Sequence, residues 1–302
     1  MAGNPMPSLV ISGESDRENP PVVGNRVQPF YTNSNSGRED SMKKVPTTFS
    51  GLLYERLGLD ELFSLKAWRA SVAELVGTGA LVFTLEAIAI SSTEAQIGSP
   101  HLVIAALISV LVTVLVLVTG PVSGGHLNPA ISLSAALVGR ITAARAAIYI
   151  ALQCLGGVLA TLAIKAAVAR EVAHEFSLGG CGLGRAEARP ALWLETVCTF
   201  VLLLSVTVVF NEGRAGAMAH GPVTVSAVIG TTVGLMVYVS ATVTGRKGYS
   251  GVGLNAARCF GPAVVRGGDL WTAHWVFWVG PILASMGLCV YVKALPRQNF
   301  HV

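Results

Sequence analysis

Two similar stretches contain the side chains best suited to chemistry. Ser123 to Ala130 reads S-G-G-H-L-N-P-A, and Ser250 to Ala257 reads S-G-V-G-L-N-A-A. Asparagine is a strong helix N-cap, and Pro129 suits the first helical position because its missing N–H is not needed there. An apolar segment of helical length follows each stretch. We therefore expect two short helices, one capped by Asn128 and the other by Asn255.

The chemistry that these stretches offer is hydrogen bonding to a neutral molecule. The glycine-rich residues before each asparagine leave backbone carbonyls unpaired, which lipid does not tolerate but a water-filled cavity does. The asparagine amides donate, the carbonyls accept, and two helix N-termini repel cations and protons. A lone asparagine here would be read as an ordinary helix cap, but its repetition favours a pore wall. The residues assigned to this wall are Gly124, Gly125, His126, Leu127, Asn128, Pro129, Ala130, Gly251, Gly253, Leu254, Asn255, Ala256 and Ala257.

Three charged residues in or beside apolar segments are candidates for a functional role. Arg258 directly follows the second stretch, where a buried charge costs at least roughly 2.5–3.5 kcal/mol, so it should face water. The alternative is an arginine that reaches the lipid headgroups. Glu74-x-x-x-Thr78 recurs as Glu195-x-x-x-Thr199. Acids inside spans are usually paired or accept backbone hydrogen bonds, whereas acids at span ends are surface groups; we favour the first interpretation.

Composition indicates the class of protein that positions these groups. Of 302 residues, 52% are hydrophobic and 13% are charged, against roughly 25% charged in soluble domains. The apolar excess predicts membrane lipid as a partner. The net charge of +4 comes with no run of basic residues interleaved with aromatics, so nucleic-acid binding is not expected. No Ser-His-Asp, CxxC or HExxH pattern is present; we predict no enzyme, catalytic residue, cofactor or metal site.

The chain is predicted to contain a tail, a surface helix and a membrane domain. Residues 1–50 lack apolar periodicity and are expected to form a disordered cytoplasmic tail without a secretory signal peptide. Residues 51–67 fit a short amphipathic helix at the membrane surface. A channel domain is expected over residues 68–294, and residues 295–302 form a short cytoplasmic tail. Six stretches approach the roughly 20 apolar residues needed to span: Trp68–Ser91, His101–Gly120, Ala143–Ala169, Pro190–Phe210, Pro222–Val243 and Trp271–Lys293.

The repeated motifs divide the domain into halves, about 68–169 and 190–294. Each half holds three spans, an odd number, so the second must be inverted relative to the first. The predicted fold is an all-α membrane protein with six transmembrane helices and two re-entrant half-helices, Ala130 to Val138 and Arg258 to Val265. Lys and Arg are slightly more frequent on the side of the termini, which favours cytoplasmic termini.

Over Trp68 to Lys293 the sequence resembles the major intrinsic protein family, the aquaporins. The resemblance rests on the two asparagine motifs, the F-G-P-A that follows the second, and the paired Glu-x-x-x-Thr. Within the family it is similar to the plant and fungal X intrinsic proteins, because Cys259 follows the motif arginine and Leu178 to Cys181 reads L-G-G-C. One departure is Ala256, where the family usually has proline; alanine favours helix, so the cap should survive.

The resemblance implies roles for further residues. It places Arg258 in a selectivity filter with Ile108, Val237 and Val252. The register at Val237 stays open, with Tyr238 or Val239 as alternatives, because the second half is longer than the first. It also implies that Glu74 and Glu195 brace the loops, that His126 bonds within its loop, and that the protein is a homotetramer.

The five cysteines fall into two groups. Cys181 and Cys259 should both lie on the extracytoplasmic side, where oxidation is permitted. They form either a disulfide or redox-sensitive pair, or two separate thiols. The others, Cys154, Cys198 and Cys289, lie in apolar spans and are expected to be packing residues. Gly156 and Gly157 predict close helix packing, within or between subunits.

The predicted function is a passive transmembrane channel, in the plasma membrane, for small uncharged solutes. Glycerol, boric acid, urea and hydrogen peroxide are expected to pass, with weak water permeability, because the residues around Arg258 are aliphatic. A water-selective aquaporin is the first alternative. A coupled secondary transporter is the second, but it would normally show further intramembrane acids or histidines for ion binding, and only Glu74 and Glu195 are candidates. A structural membrane protein with a closed pore is the third.

Overall fold

A computed structural model describes residues 57–95, 98–211, 221–245 and 248–294, without the side chains of residues 208–211. The predicted tails, residues 1–50 and 295–302, lie outside the described residues, as does the start of the predicted surface helix. The described part of that helix contains a 3₁₀-helix, Leu59–Phe63. It is anchored by a buried ion pair in which Glu61 accepts from Arg145 Nε at 2.6 Å.

Six long apolar helices dominate the described part of the chain. The α-helices there are α1 (Leu65–Glu94), α2 (Pro100–Ser123), α3 (Pro129–Leu137), α4 (Ala143–Ala167), α5 (Arg170–Glu175), α6 (Ala188–Asn211), α7 (Pro222–Val243), α8 (Ala256–Arg266) and α9 (Val276–Ala294). The segments containing α1, α2, α4, α6, α7 and α9 are long and apolar enough to cross a membrane. The short helices α3 and α8 are the half-helices. The predicted fold class is confirmed.

Local signals explain most of the helix boundaries. Ser64 caps α1 by accepting a hydrogen bond from Ala67 N at 3.4 Å. Proline occupies the first position of α2, α3 and α7, where its fixed φ favours helix initiation. The last span differs from its predicted start at Trp271. Residues Gly268–Trp271 form a 3₁₀-helix and Ala273 has φ +52°, so regular α-helix begins only at Val276.

Helix packing has the symmetry expected of an inverted repeat. In the first half α1 packs against α4, and in the second half α6 packs against α9; α2 and α7 meet across the two halves. Each half-helix crosses to the other half: α8 lies against α4, and α3 lies against α9. Both re-entrant segments are therefore enclosed by protein, which satisfies their polar backbone groups away from lipid.

Close contacts within the chain explain the two adjacent glycines of α4. A Cβ atom on Gly156 would lie 2.4 Å from the carbonyl oxygen of Leu75, in α1. A Cβ atom on Gly157 would lie 2.6 Å from the carbonyl oxygen of Ala257, in α8. The small-residue face predicted here therefore serves packing within one subunit.

Replacing Gly157 by Ala should destabilise the protein by about 1–3 kcal/mol, because the added methyl group would press against the backbone of α8. The gain in helix propensity, about 1 kcal/mol, offsets part of this cost. Gly287→Ala in α9 is the matched control, since its Cβ would lie 3.6 Å from the Phe200 ring, an ordinary contact. Thermal unfolding in detergent measures both. Equal midpoints for the two variants would contradict the assigned contact.

Candidate functional site

The two asparagine motifs cap the half-helices as the sequence predicts. Asn128 Oδ1 accepts a hydrogen bond from Ala130 N at 2.9 Å, so α3 begins at Pro129. Asn255 Oδ1 accepts from Ala257 N at 3.1 Å and from Arg258 N at 3.3 Å. Both donors to this cap thus belong to residues after position 256. Alanine in place of the family's usual proline therefore leaves the second cap intact.

The capping asparagines also join the two halves at the centre of the molecule. Asn128 Nδ2 donates to the carbonyl of Leu254 at 2.8 Å, and Asn255 Nδ2 donates to the carbonyl of Leu127 at 2.7 Å. Both leucines adopt positive φ, +50° at Leu127 and +58° at Leu254. This matching backbone turns each carbonyl toward the opposite asparagine. An amide NH₂ group carries two N–H donors, so each asparagine retains one.

Two buried carboxylates hold the loops that precede the caps. Glu195 accepts from Gly253 N at 2.8 Å and from Leu254 N at 2.6 Å. Glu74 accepts from His126 N at 3.0 Å, Leu127 N at 2.6 Å, Ser123 Oγ at 2.5 Å and Gln153 Nε2 at 2.8 Å. Both glutamates are fully buried. The two acids of the paired motif thus occupy equivalent positions and bind equivalent backbone donors.

The first loop has additional side-chain contacts. His126 Nδ1 lies 3.1 Å from Ser132 Oγ, and its ring packs edge-on against Tyr149 with centroids 5.4 Å apart. The Tyr149 hydroxyl donates to the carbonyl of Ser123 at 2.8 Å. The His126 ring therefore contacts Ser132 in the half-helix α3, just beyond the loop.

A cavity of about 220 Å³ passes between the halves and is lined by both asparagines. Ile108, Val237, Val252 and Arg258, the four predicted filter residues, all line it. Tyr238 and Val239 do not line it, and they are 39% and 40% exposed on the outside of the helix. The structure therefore places Val237, rather than either alternative, on the cavity wall.

The remaining motif residues divide between the wall and the packing behind it. His126, Leu127, Gly253 and Leu254 line the cavity, whereas Gly124, Gly125 and Gly251 are not part of its lining. Gly124 ends α2, Gly125 N donates to Ser123 Oγ at 3.1 Å, and Gly251 lies beside Ser240. The first residues of the half-helices, Pro129, Ala130, Ala256 and Ala257, are buried behind the asparagines.

Arg258 is bonded on one side only. Its Nη2 donates to the carbonyl of Gly179 at 2.9 Å, and its Nη1 contacts Cys181 Sγ. Ile108, Val237 and Val252, the other predicted filter residues, have aliphatic side chains. At these four positions the cavity wall thus combines one guanidinium with three aliphatic side chains.

Glu86 is a third intramembrane acid, which sequence interpretation missed. It lies in α1 and is fully buried, and its Oε1 accepts from Thr161 Oγ1 at 2.6 Å. Its position inside the first predicted span was the available signal, so the statement that only Glu74 and Glu195 are intramembrane acids was wrong. Glu86 lies behind Gly179, whose Cβ would be 3.0 Å from Glu86 Cα, and it is absent from the cavity lining. It is therefore not part of the wall described above.

Cys181 and Cys259 are joined by a disulfide, with their Cα atoms 5.1 Å apart. The disulfide connects the loop between α5 and α6 to the first turn of α8. Cys154, Cys198 and Cys289 are free thiols.

Comparisons with known proteins agree with this geometry. The sequence profile of the major intrinsic protein family matches residues 61–291. The chain is 36% identical over 239 residues to aquaporin TIP4-4 of Zea mays, covering 77% of this chain and 89% of the relative. It is 30% identical over 257 residues to aquaporin PIP1-1 of Arabidopsis thaliana, covering 79% and 84%.

A solved structure supports the fold. The aquaglyceroporin from Plasmodium falciparum superposes with a TM-score of 0.64 at 20% identity, over 78% of this chain and 98% of that one. Sequence, architecture and profile therefore lead to one conclusion: the chain is a multi-pass membrane protein that belongs to the major intrinsic protein family of passive channels.

Proposed function

We propose that this channel conducts small uncharged solutes such as glycerol, urea, boric acid and hydrogen peroxide, with weak water permeability. The observation that carries the proposal is the composition of the outer cavity wall. At the four predicted filter positions, Ile108, Val237 and Val252 contribute aliphatic side chains and Arg258 contributes the polar one. We assign these four residues as the selectivity filter.

The preference follows from the hydrogen bonds that a solute keeps at this wall. Water hydrogen-bonds in all directions and loses partners on the aliphatic side. Glycerol can direct its hydroxyl groups toward Arg258 and its carbon atoms toward the aliphatic side chains. Each lost hydrogen bond costs roughly 1–3 kcal/mol, which is about one to two powers of ten in rate. An amphipathic solute therefore passes this position more readily than water does.

The centre of the cavity favours neutral molecules. Asn128 and Asn255 each keep one amide N–H for a solute oxygen, beside the carbonyl groups of the pore loops. Two helix N-termini meet there, each with about half a positive charge. A cation at this point would face two positive ends without a carboxylate in the wall, because Glu74 and Glu195 direct their oxygens to the loop backbones.

Stopped-flow measurements on purified protein in liposomes test the proposal directly. The same preparation is challenged with gradients of water, glycerol, urea, boric acid and hydrogen peroxide, against protein-free liposomes. We expect solute fluxes clearly above the lipid background and a small increase in water flux. Fast water flux without passage of any of the four solutes would contradict the filter assignment.

Replacing Arg258 by Val should weaken the exclusion of cations and widen the filter. Among the described residues that line the cavity, the change removes the one arginine, so we expect a cation leak at least about tenfold above that of the unmodified protein. Arg266→Val is the matched control, because it removes a positive charge from the end of the same half-helix outside the cavity. Leak is measured with a fluorescent dye that reports pH or sodium. An unchanged leak and unchanged solute selectivity would show that Arg258 is not a filter residue.

We also propose a homotetramer in the plasma membrane, with both termini cytoplasmic. The cavity is complete within one chain, so each subunit would carry its own pore. Large apolar side chains such as Val110, Val118 and Val290 are more than half exposed on the outer surface, where lipid or a neighbouring subunit would cover them. Mass measurement in detergent and tags at both termini test assembly and orientation; a stable conducting monomer would contradict the tetramer.

A further inference from the structure

Residues 176–187 connect α5 to α6, and we call them the outer loop. This loop provides two groups that contact the Arg258 guanidinium. The Gly179 carbonyl accepts from Arg258 Nη2 at 2.9 Å, and Cys181 Sγ contacts Arg258 Nη1. Within the described residues Arg258 forms no ion pair at salt-bridge distance. The orientation of its guanidinium therefore depends on where the outer loop lies.

One covalent bond fixes this part of the outer loop to the arginine's own helix. Cys181 is bonded to Cys259, the residue that directly follows Arg258. Arg258 Nη1 also lies 3.9 Å from Cys259 Sγ, so the guanidinium sits against both ends of the disulfide. Farther along the loop, Gly182 exchanges hydrogen bonds with Ser250 at 3.0 Å. These bonds hold the loop near position 182 but do not reach the carbonyl of Gly179.

The disulfide also lies directly behind the second pore loop. A Cβ atom on Gly253 would be 2.3 Å from Cys259 Sγ and 3.3 Å from Cys181 Sγ. Glycine at 253 therefore leaves the space that the two sulfur atoms occupy. Gly253 lines the cavity and donates to Glu195. The disulfide therefore contacts the filter region at two places, the Arg258 side chain and the backbone of the second pore loop.

We propose that the Cys181–Cys259 disulfide positions Arg258, so that the solute selectivity of the channel depends on the oxidation state of this pair. The inference rests on the proposed role of Arg258 in the filter. In the oxidised protein the guanidinium is held against the outer loop and leaves the aliphatic side of the lumen open. Neither cysteine touches the solute, so both act through Arg258.

A dithiol removes this constraint by reducing the disulfide through thiol–disulfide exchange. The S–S bond breaks and two thiols form, while the dithiol gives up two electrons and two protons and becomes a disulfide. Two thiol sulfurs cannot remain at the bonded distance of about 2.0 Å. Cys181 must therefore move away from Cys259, and the Gly179 carbonyl moves with it. Arg258 then loses the acceptor that holds it against the outer loop, and its guanidinium turns toward lumen water.

A guanidinium in the lumen obstructs a large solute more than it obstructs water. We expect reduction to lower the glycerol-to-water flux ratio about fivefold, the effect of losing roughly one hydrogen bond at the filter. The full-length protein in liposomes is measured before and after dithiothreitol. Alkylation and peptide mapping on the same samples give the fraction of Cys181 and Cys259 that is reduced.

Three variants test whether the disulfide positions Arg258 or only stabilises the fold. The Cys181→Ala/Cys259→Ala protein should show the low ratio with or without dithiothreitol. The Cys154→Ala/Cys198→Ala/Cys289→Ala protein, which lacks the free thiols, should keep the full response. Arg258→Val should not respond to the reductant at all, because the group on which the disulfide acts is missing. If the disulfide were merely structural, its reduction would lower the thermal midpoint of every protein that contains it and leave the flux ratio unchanged.

Distinct outcomes overturn the two proposals. An oxidised protein that passes water but none of the four solutes contradicts the proposed function, whatever its redox response. Three results overturn the positioning proposal: a purified protein without the 181–259 linkage, an equal flux ratio in the unmodified protein and the Cys181→Ala/Cys259→Ala variant, or an equal response to dithiothreitol in the Arg258→Val variant.

Discussion

Replacing Ile108 by Phe together with Val237 by His should convert the channel into one that favours water. The phenyl ring narrows the lumen, and the imidazole adds a hydrogen-bonding group opposite Arg258, where the wall is now aliphatic. Water then keeps partners on both sides, and glycerol loses the apolar surface along its carbon atoms. We expect the glycerol-to-water flux ratio to fall by about 10- to 100-fold, the equivalent of one hydrogen bond exchanged at the bottleneck.

The helix surfaces provide a matched control for this pair. Leu107 and Tyr238 adjoin Ile108 and Val237 but face outward, 44% and 39% exposed. The Leu107→Phe/Tyr238→His protein therefore introduces the same residue types into the same helices away from the cavity. Both proteins are measured by stopped flow in the same lipid. A similar change of ratio in both would show that the effect does not arise at the cavity wall.

Replacing Glu74 by Gln should cause the largest loss of stability among single changes in the pore loops. Glu74 accepts four hydrogen bonds, and two of the donors are the backbone groups of His126 and Leu127. An amide group has one acceptor oxygen, so its NH₂ group would face N–H donors that a carboxylate oxygen binds now. Each buried donor left unpaired costs roughly 1–3 kcal/mol, so we expect about 2–5 kcal/mol in all.

Glu195→Gln should also lower the stability of the protein, but by less, because the two hydrogen bonds that Glu195 accepts both come from backbone N–H groups. Glu171→Gln, in the exposed short helix α5, is the control. Thermal midpoints in detergent and the yield of folded protein measure the three effects. If Glu74→Gln and Glu195→Gln unfold at the midpoint of the control, the carboxylates do not brace the loops.

The fold was predictable because its two main signals are contained in the sequence. Spans are read from local hydropathy, and the inverted repeat is read from two similar motifs separated by an odd number of spans. Boundaries that depend on a single backbone angle were not readable. The positive φ of Ala273 delays the start of α9, and alanine gives no indication of such an angle.

A site residue was predictable from the sequence where its residue type has one common role at that position. It was not predictable where its role depends on residues that are distant in the sequence. Both asparagine caps follow from residue type. The register of Val237 does not, because the longer connection after α7 moves it relative to the motif, and only the helix orientation separates it from Tyr238. The disulfide joins residues 78 apart in the sequence, and the partner of Glu86 lies 75 positions away at Thr161. Hydropathy contains no information on either proximity.

The exchanged bonds of Asn128 and Asn255 have a consequence for biosynthesis. Each asparagine completes the turn of the opposite loop, so the first half, inserted alone during translation, holds a motif with its Leu127 carbonyl and Asn128 amide unmatched. Both cross-loop hydrogen bonds can form only after the second motif has been made, because each joins one motif to the other. A chain that ends before the second motif would therefore keep the first motif without its partner for Leu127 O and Asn128 Nδ2.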